Sequence, residues 1–160
     1  MYRVFKGGSF SITGGPSQDP TERYAGFDGL DPDFVSRLQD TLDTLTDMGY
    51  EPEVYETVRS EARGEYLKEK GVSQLGAKSY HVTGLAADII DGRDHPDRSG
   101  FKVGWGSWEE ANGASATDGD KSATTMAQDF FDQLAGVATQ NGLTAGHYWG
   151  WQDSPHIELS

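Results

Sequence analysis

The run Leu85-Ala86-Ala87-Asp88-Ile89-Ile90 constrains this chain more than any other stretch. It reads as a buried strand, and a strand sends alternate residues to opposite faces, so Ala86 and Asp88 share one face while Ala87 and Ile89 share the other. The small alanine beside the acid leaves room for an ion. Just upstream, Ser79-x-His81-x-x-Gly84 places an imidazole seven positions before the acid, and Gly84 lets the chain turn from loop into strand. The final stretch, Gln152-Asp153-Ser154-Pro155-His156-Ile157-Glu158-Leu159, supplies a second histidine with a carboxylate three positions before it. Two histidines and one aspartate are a normal ligand set for a catalytic zinc, which keeps a fourth position for water. His81, Asp88 and His156 are therefore the candidate metal ligands.

A chain of 160 residues suits one domain with a proper core. It contains no cysteine, which removes thiolate metal sites, cysteine nucleophiles and disulfides, so a zinc must be held by nitrogen and oxygen. The formal charge of −13 argues against nucleic acid as a partner, because phosphate binding needs clustered Lys and Arg. Solubility, or adaptation to salt, accounts for that charge. No apolar run approaches the roughly 20 residues of a membrane span. Met1-Tyr2-Arg3-Val4-Phe5-Lys6 lacks the apolar core of a secretory signal, which leaves another export or release route, or prior removal of a signal. A monomer is expected.

Residues 1–30 read as an extended, turn-rich lead-in, with short strands only at Val4-Phe5 and Phe10-Ser11-Ile12; residues 31–160 form the main domain. Asp31-Pro32-Asp33 opens a helix whose Phe34, Val35, Leu38, Leu42, Leu45 and Met48 recur at helical spacing, and Gly49 stops it. Glu53 to Val58 alternates as a strand and delivers Arg59-Ser60 to its end; a second helix follows from about Ser60 to Lys70. Residues 91–121 read as a long loop, with one helical turn near Trp108–Ala111. Thr124 to Asn141 is the last helix, and Pro155–Leu159 a closing strand. The expectation is a single α+β domain, a small antiparallel sheet with flanking helices.

A hydrolase also needs a base for its water. Asp153 could sit beside the metal without ligating it, which leaves it free to exchange protons. Glu158 competes for that role, or else holds the tautomer of an imidazole. Arg59 is the best placed of the few cations to stabilise charge or grip a substrate carboxylate, with Arg63, one turn later, as the alternative. Ser79, His147 and Trp149 are candidate substrate contacts. His95 lies in a polar loop and is expected to face solvent. The spacing of Asp91, Asp94 and Asp97 does not match an EF-hand loop.

Glu56-Thr57-Val58-Arg59-Ser60, Gly71-Val72-Ser73, Ser79-x-His81-x-x-Gly84-x-Ala86-x-Asp88-Ile89 and Trp149…Asp153-x-x-His156-Ile157-Glu158 together resemble the M15 family of zinc peptidases. The resemblance runs from about Leu30 to the C-terminus, with four separated motifs in the family's order. It implies a hedgehog/D,D-peptidase-like fold, zinc on His81, Asp88 and His156, Asp153 as general base, and Arg59 steadying the substrate or transition state. The implied partner is the peptidoglycan stem peptide, and the implied place of action the cell wall or periplasm. Gly142-Leu143-Thr144-Ala145-Gly146 followed by Trp149 resembles the L-alanyl-D-glutamate endopeptidase branch, which includes phage endolysins, although His147 stands where a second glycine is expected. A D-alanyl-D-alanine carboxypeptidase or dipeptidase, and a non-catalytic zinc-holding module on the same fold, are the alternatives.

Overall fold

The computed structural model describes residues 2–106 and 121–160. In chain order the elements are β1 (Arg3–Val4), β2 (Phe10–Ser11), β3 (Arg23–Tyr24), α1 (Pro32–Asp47), β4 (Pro52–Glu56), α2 (Glu61–Glu69), β5 (Ala86–Asp94), β6 (Lys102–Gly104), α3 (Lys121–Gln140), β7 (Thr144–Ala145) and β8 (His156–Glu158), with single 3-10 turns at Gly76–Lys78 and Gly146–Tyr148. The main sheet runs β1-β4-β5-β8-β7, and β6 pairs with β5. All its pairings are antiparallel except that of β1 with β4. The expected α+β domain with flanking helices is what forms, on a sheet made mixed by β1. Among the described residues no helix is long and apolar enough to cross a membrane.

α1 begins where the sequence says it must. The Asp31 carboxylate accepts from the amides of Asp33 and Phe34, and Pro32, with no N–H to lose, opens the helix. Its buried stripe of Phe34, Leu38, Leu42 and Leu45 meets the Phe130 and Leu134 face of α3 and the Val54, Ile89 and Ile157 face of the sheet. Asn141, just beyond α3, ties the two helices, receiving Arg37 Nη1 on its carbonyl at 2.8 Å and donating to Thr41 Oγ1 at 3.0 Å. Both apolar layers lie on one side of the sheet, which leaves the opposite face of β5 and β8 free for polar side chains.

The first thirty residues are stitched to the sheet rather than laid over it. The buried Arg23 guanidinium donates to the carbonyls of Phe5, Gly7 and Tyr55 and lies over the Phe10 and Tyr55 rings. Thr57 N donates to Tyr24 O at 2.7 Å, and Arg63 Nη1 to Pro20 O at 2.9 Å. β3 was not foreseen, because its partner β2 is parallel and distant in sequence.

The loop expected over residues 91–121 is corrected in its first half. β5 continues to Asp94, and β6 returns beside it with Asp94 opposite Lys102. The charges that suggested a loop find partners within the hairpin: Lys102 Nζ donates to Asp94 Oδ1 at 2.8 Å, and Arg93 forks onto Asp91. His95 does not face solvent. It is buried in the hairpin turn, its amide donating to Phe101 O at 2.9 Å and its Nδ1 receiving the Asp97 amide at 3.1 Å. The helical turn expected near Trp108–Ala111 lies outside the described residues.

Candidate active site

Register across three strands builds the site. Glu56 of β4 stands opposite Asp88 of β5, and Asp88 stands opposite His156 of β8, so one row on the polar face carries all three. His81 reaches the row from the turn before β5. Gly84, at φ +76°, makes that turn, and a side chain there would run into the Gly29 carbonyl.

The three candidate ligands converge. His81 Nε2 lies 3.2 Å from His156 Nδ1 and 3.3 Å from Asp88 Oδ1, and His156 Nδ1 lies 3.4 Å from the same oxygen. An ion about 2.0–2.1 Å from each donor in tetrahedral geometry requires donors roughly 3.3 Å apart. The fit extends to the far side of each ring. His81 Nδ1 lies 2.6 Å from the Thr57 carbonyl, an acceptor only, so the proton sits on Nδ1 and the Nε2 lone pair faces the cluster. His156 Nε2 lies 2.8 Å from Glu158 Oε1, which turns the Nδ1 lone pair inward. Asp88 Oδ1 is buried with no hydrogen-bond partner, an omission that a cation would repair. His81, Asp88 and His156 thus form a group that could hold a metal ion.

Electrostatics follow from this crowding. Burial opposes the Asp88 charge, but His81, His156 and Arg59 outweigh it and hold the carboxyl well below the usual carboxylate range. Burial and the Arg59 charge keep the His81 ring neutral by lowering its pKa. Burial also opposes a charge on His156, yet the carboxylates of Asp88 and Glu158 push it up to about 9. Asp153 is pushed up to about 6 by burial and by the Asp88 charge. Its Oδ2 stands 3.9 Å from His156 Nδ1, beside the cluster rather than in it. Gly146 fixes that position: its carbonyl accepts the Asp153 amide at 3.0 Å, and a side chain at Gly146 would meet the Asp153 carbonyl oxygen at 2.5 Å.

Arg59 lies at the cleft with its Nη2 3.1 Å from Glu56 Oε1 and 3.3 Å from Asp88 Oδ2. It thereby occupies the outer oxygen of Asp88 and leaves Oδ1 for the cluster. Arg63 is turned away, onto Glu56 Oε2 and the Pro20 carbonyl. The cleft above these groups, about 490 Å³, is lined by Ser79 and Trp149 as well as by Val72, Leu75, Tyr80 and Trp151. His147 is not among its lining residues; it lies 2.7 Å from Asp132 Oδ1 and 2.9 Å from Ser154 Oγ. Sequence reasoning missed Glu56 and Thr57. Alternation along β4 would put Glu56 on the Val54 face; a bulge between the two sets it in the Asp88 row instead, and no local pattern announces that.

No protein-family profile matches the sequence, and neither does any curated protein. Solved structures do match. The chain is similar to the L-Ala D-Glu endopeptidase ChiX of Serratia marcescens, with a TM-score of 0.57 and 22% identity over 84% of this chain and 83% of that one. It is similar to the LD-carboxypeptidase LdcB, with a TM-score of 0.52 and 16% identity over 83% and 68%. The D,D-pentapeptidase VanY of a VanB-type resistance cassette, solved in complex with Zn(II), has a TM-score of 0.50 and 14% identity over 100% and 87%. The likeness is one of fold.

Proposed function

We propose that this protein is a zinc-dependent peptidase of the peptidoglycan stem peptide that hydrolyses the L-alanyl-D-glutamate bond and acts at the cell wall. The observation that carries the reading is the triangle of His81 Nε2, Asp88 Oδ1 and His156 Nδ1 at tetrahedral spacing, with one oxygen unpartnered and a raised-pKa carboxyl beside it. Support also comes from the shared fold, since ChiX is named for this bond, LdcB and VanY for other peptidase activities, and VanY was solved with Zn(II).

His81, Asp88 and His156 would hold the ion. When bound, zinc lowers the pKa of a water towards 7 and polarises a carbonyl. Asp153 is placed to take a proton from the attacking water on its carboxylate and to return it to the departing amine, and without metal, burial and the Asp88 charge push it up to about 6. Arg59 holds Asp88 through Nη2 and sets its positive charge beside the carbonyl oxygen as charge develops there. Trp149 and Trp151 wall the cleft and restrict water around the peptide.

Mass spectrometry of purified peptidoglycan, digested by the zinc-loaded protein and by a chelated control, tests the reading. Zinc-dependent release of stem peptides beginning at D-glutamate is expected. Loss of D-alanine alone would move the activity to the carboxypeptidase class, and no product from several wall types would end the peptidase reading.

A further inference from the structure

The cleft does not end at the metal group. A second cavity, about 510 Å³, shares Val72, Trp151 and Asp153 with the first and continues past them towards Trp105, Thr124 and Phe131. Asp153 therefore borders both cavities, with room for substrate residues on either side of it. That shape suits an interior bond.

The charges along the groove are one-sided. Among the described residues lining either cavity, Arg59 is the one lysine or arginine, and its Nη2 is shared between Glu56 and Asp88. Asp153 and Glu158 line the groove as acids, and Asp88 stands opposite His156 on the neighbouring strand. The remaining polar groups on the first cavity's walls are neutral, among them Ser73, Gln74, Ser79 and Tyr80. In an L-alanyl-γ-D-glutamyl peptide the free α-carboxyl sits on the carbon that bears the scissile nitrogen. Such a carboxylate would lie among like charges, and the one guanidinium near it already sits between the carboxylates of Glu56 and Asp88. Its one strong attraction would be to the metal, where it would compete with the scissile carbonyl. A primary amide at the same place has no charge to repel and can bond to the neutral donors and acceptors.

Resting on the peptidase reading above, we propose that this groove selects stem peptides whose α-carboxyl beside the scissile bond is amidated, taking isoglutaminyl in preference to free glutamyl substrates. The test is a pair of synthetic peptides identical except for that group, L-Ala-γ-D-Glu-L-Lys and its α-carboxamide, assayed with the zinc-loaded full chain. At low salt kcat/KM is expected to favour the amide by about tenfold or more, and the ratio to shrink in roughly 0.5 M salt as charges are screened. Equal rates, or faster cleavage of the free acid, would overturn the proposal, and so would a ratio indifferent to salt. Val72→Lys, at an exposed position where the two cavities join, is expected to bring the ratio towards one while both peptides are still cleaved. Cleavage of neither peptide by the parent protein would instead overturn the peptidase reading on which the proposal rests, a result distinct from failed selection.

Discussion

Strand β5 carries two buried aspartates three residues apart, and their surroundings differ completely. Asp91 is fully buried and fully answered: Arg93 donates from Nε to Oδ1 at 3.0 Å and from Nη2 to Oδ2 at 2.7 Å, and its backbone amide adds a third bond. Asp88 is nearly as buried, at 7% exposure, but only Oδ2 has a donor, while Oδ1 faces two imidazole nitrogens with no hydrogen bond. A buried charge alone does not mark a site, because structural ion pairs are buried too. A buried oxygen left open between two nitrogen donors is the sharper sign.

Substitution separates the two aspartates most strongly. Asp88→Ala removes a proposed ligand, and turnover is expected to fall on the order of 10³-fold or more, with metal lost and the fold retained. Asp91→Ala is expected to keep one metal per chain and instead to lower stability on the order of 2 kcal/mol, because it strands a quarter-exposed Arg93. Metal analysis and denaturant unfolding on the same two variants decide the matter. Metal loss in the Asp91 variant, or metal retention in the Asp88 variant, would break the contrast.

A third aspartate sharpens it. Asp153 is beside the cluster and not in it, so Asp153→Ala should keep the metal while turnover drops about 10²–10⁴-fold, the usual weight of a general base. Full activity in that variant would remove Asp153 from the chemistry. Loss of metal would make it a fourth ligand.

The same strand explains what the sequence could and could not reveal. Leu85 to Ile90 is legible because a short apolar run next to turn residues has few other fates, and α1 because its cap and its buried spacing agree. His81, Asp88 and His156 were visible as residue types, but the row that gathers Glu56, Asp88 and His156 is set by register, which no local pattern states. Polar stretches misled for the opposite reason. Asp91 to Asp94 looked like a loop because Lys102 lies on a strand formed only after the turn, and Met126, whose carbonyl receives Arg93, comes thirty-three residues later. Arg23 and His95 are buried through backbone carbonyls and amides, partners that leave no trace in a side-chain pattern.

The least drastic test uses pH and asks how far carboxylate crowding reaches into the metal group. Without metal, His156 has a pKa of about 9 against an ordinary 6.5, so its proton stabilises the fold fully below about 6.5, and that contribution is lost as pH rises through 9. Metal binding runs the other way, because the ion must displace the same proton from Nδ1. Apparent zinc affinity, measured by competition with a chelating dye, is therefore expected to rise by about tenfold per pH unit from 7 to 9 and then to level. Glu158→Gln keeps an acceptor on Nε2 but withdraws one of the charges that, after Asp88, raise the pKa, so the plateau should begin at a lower pH. The plateau affinity should fall by about tenfold, as the ring becomes a weaker donor to the ion. An affinity flat between pH 7 and 9 would mean that His156 is already neutral there. The carboxylates of Asp88 and Glu158 would then orient the ring without holding its proton, and the site would resemble the Asp91 end of the strand more than its geometry implies.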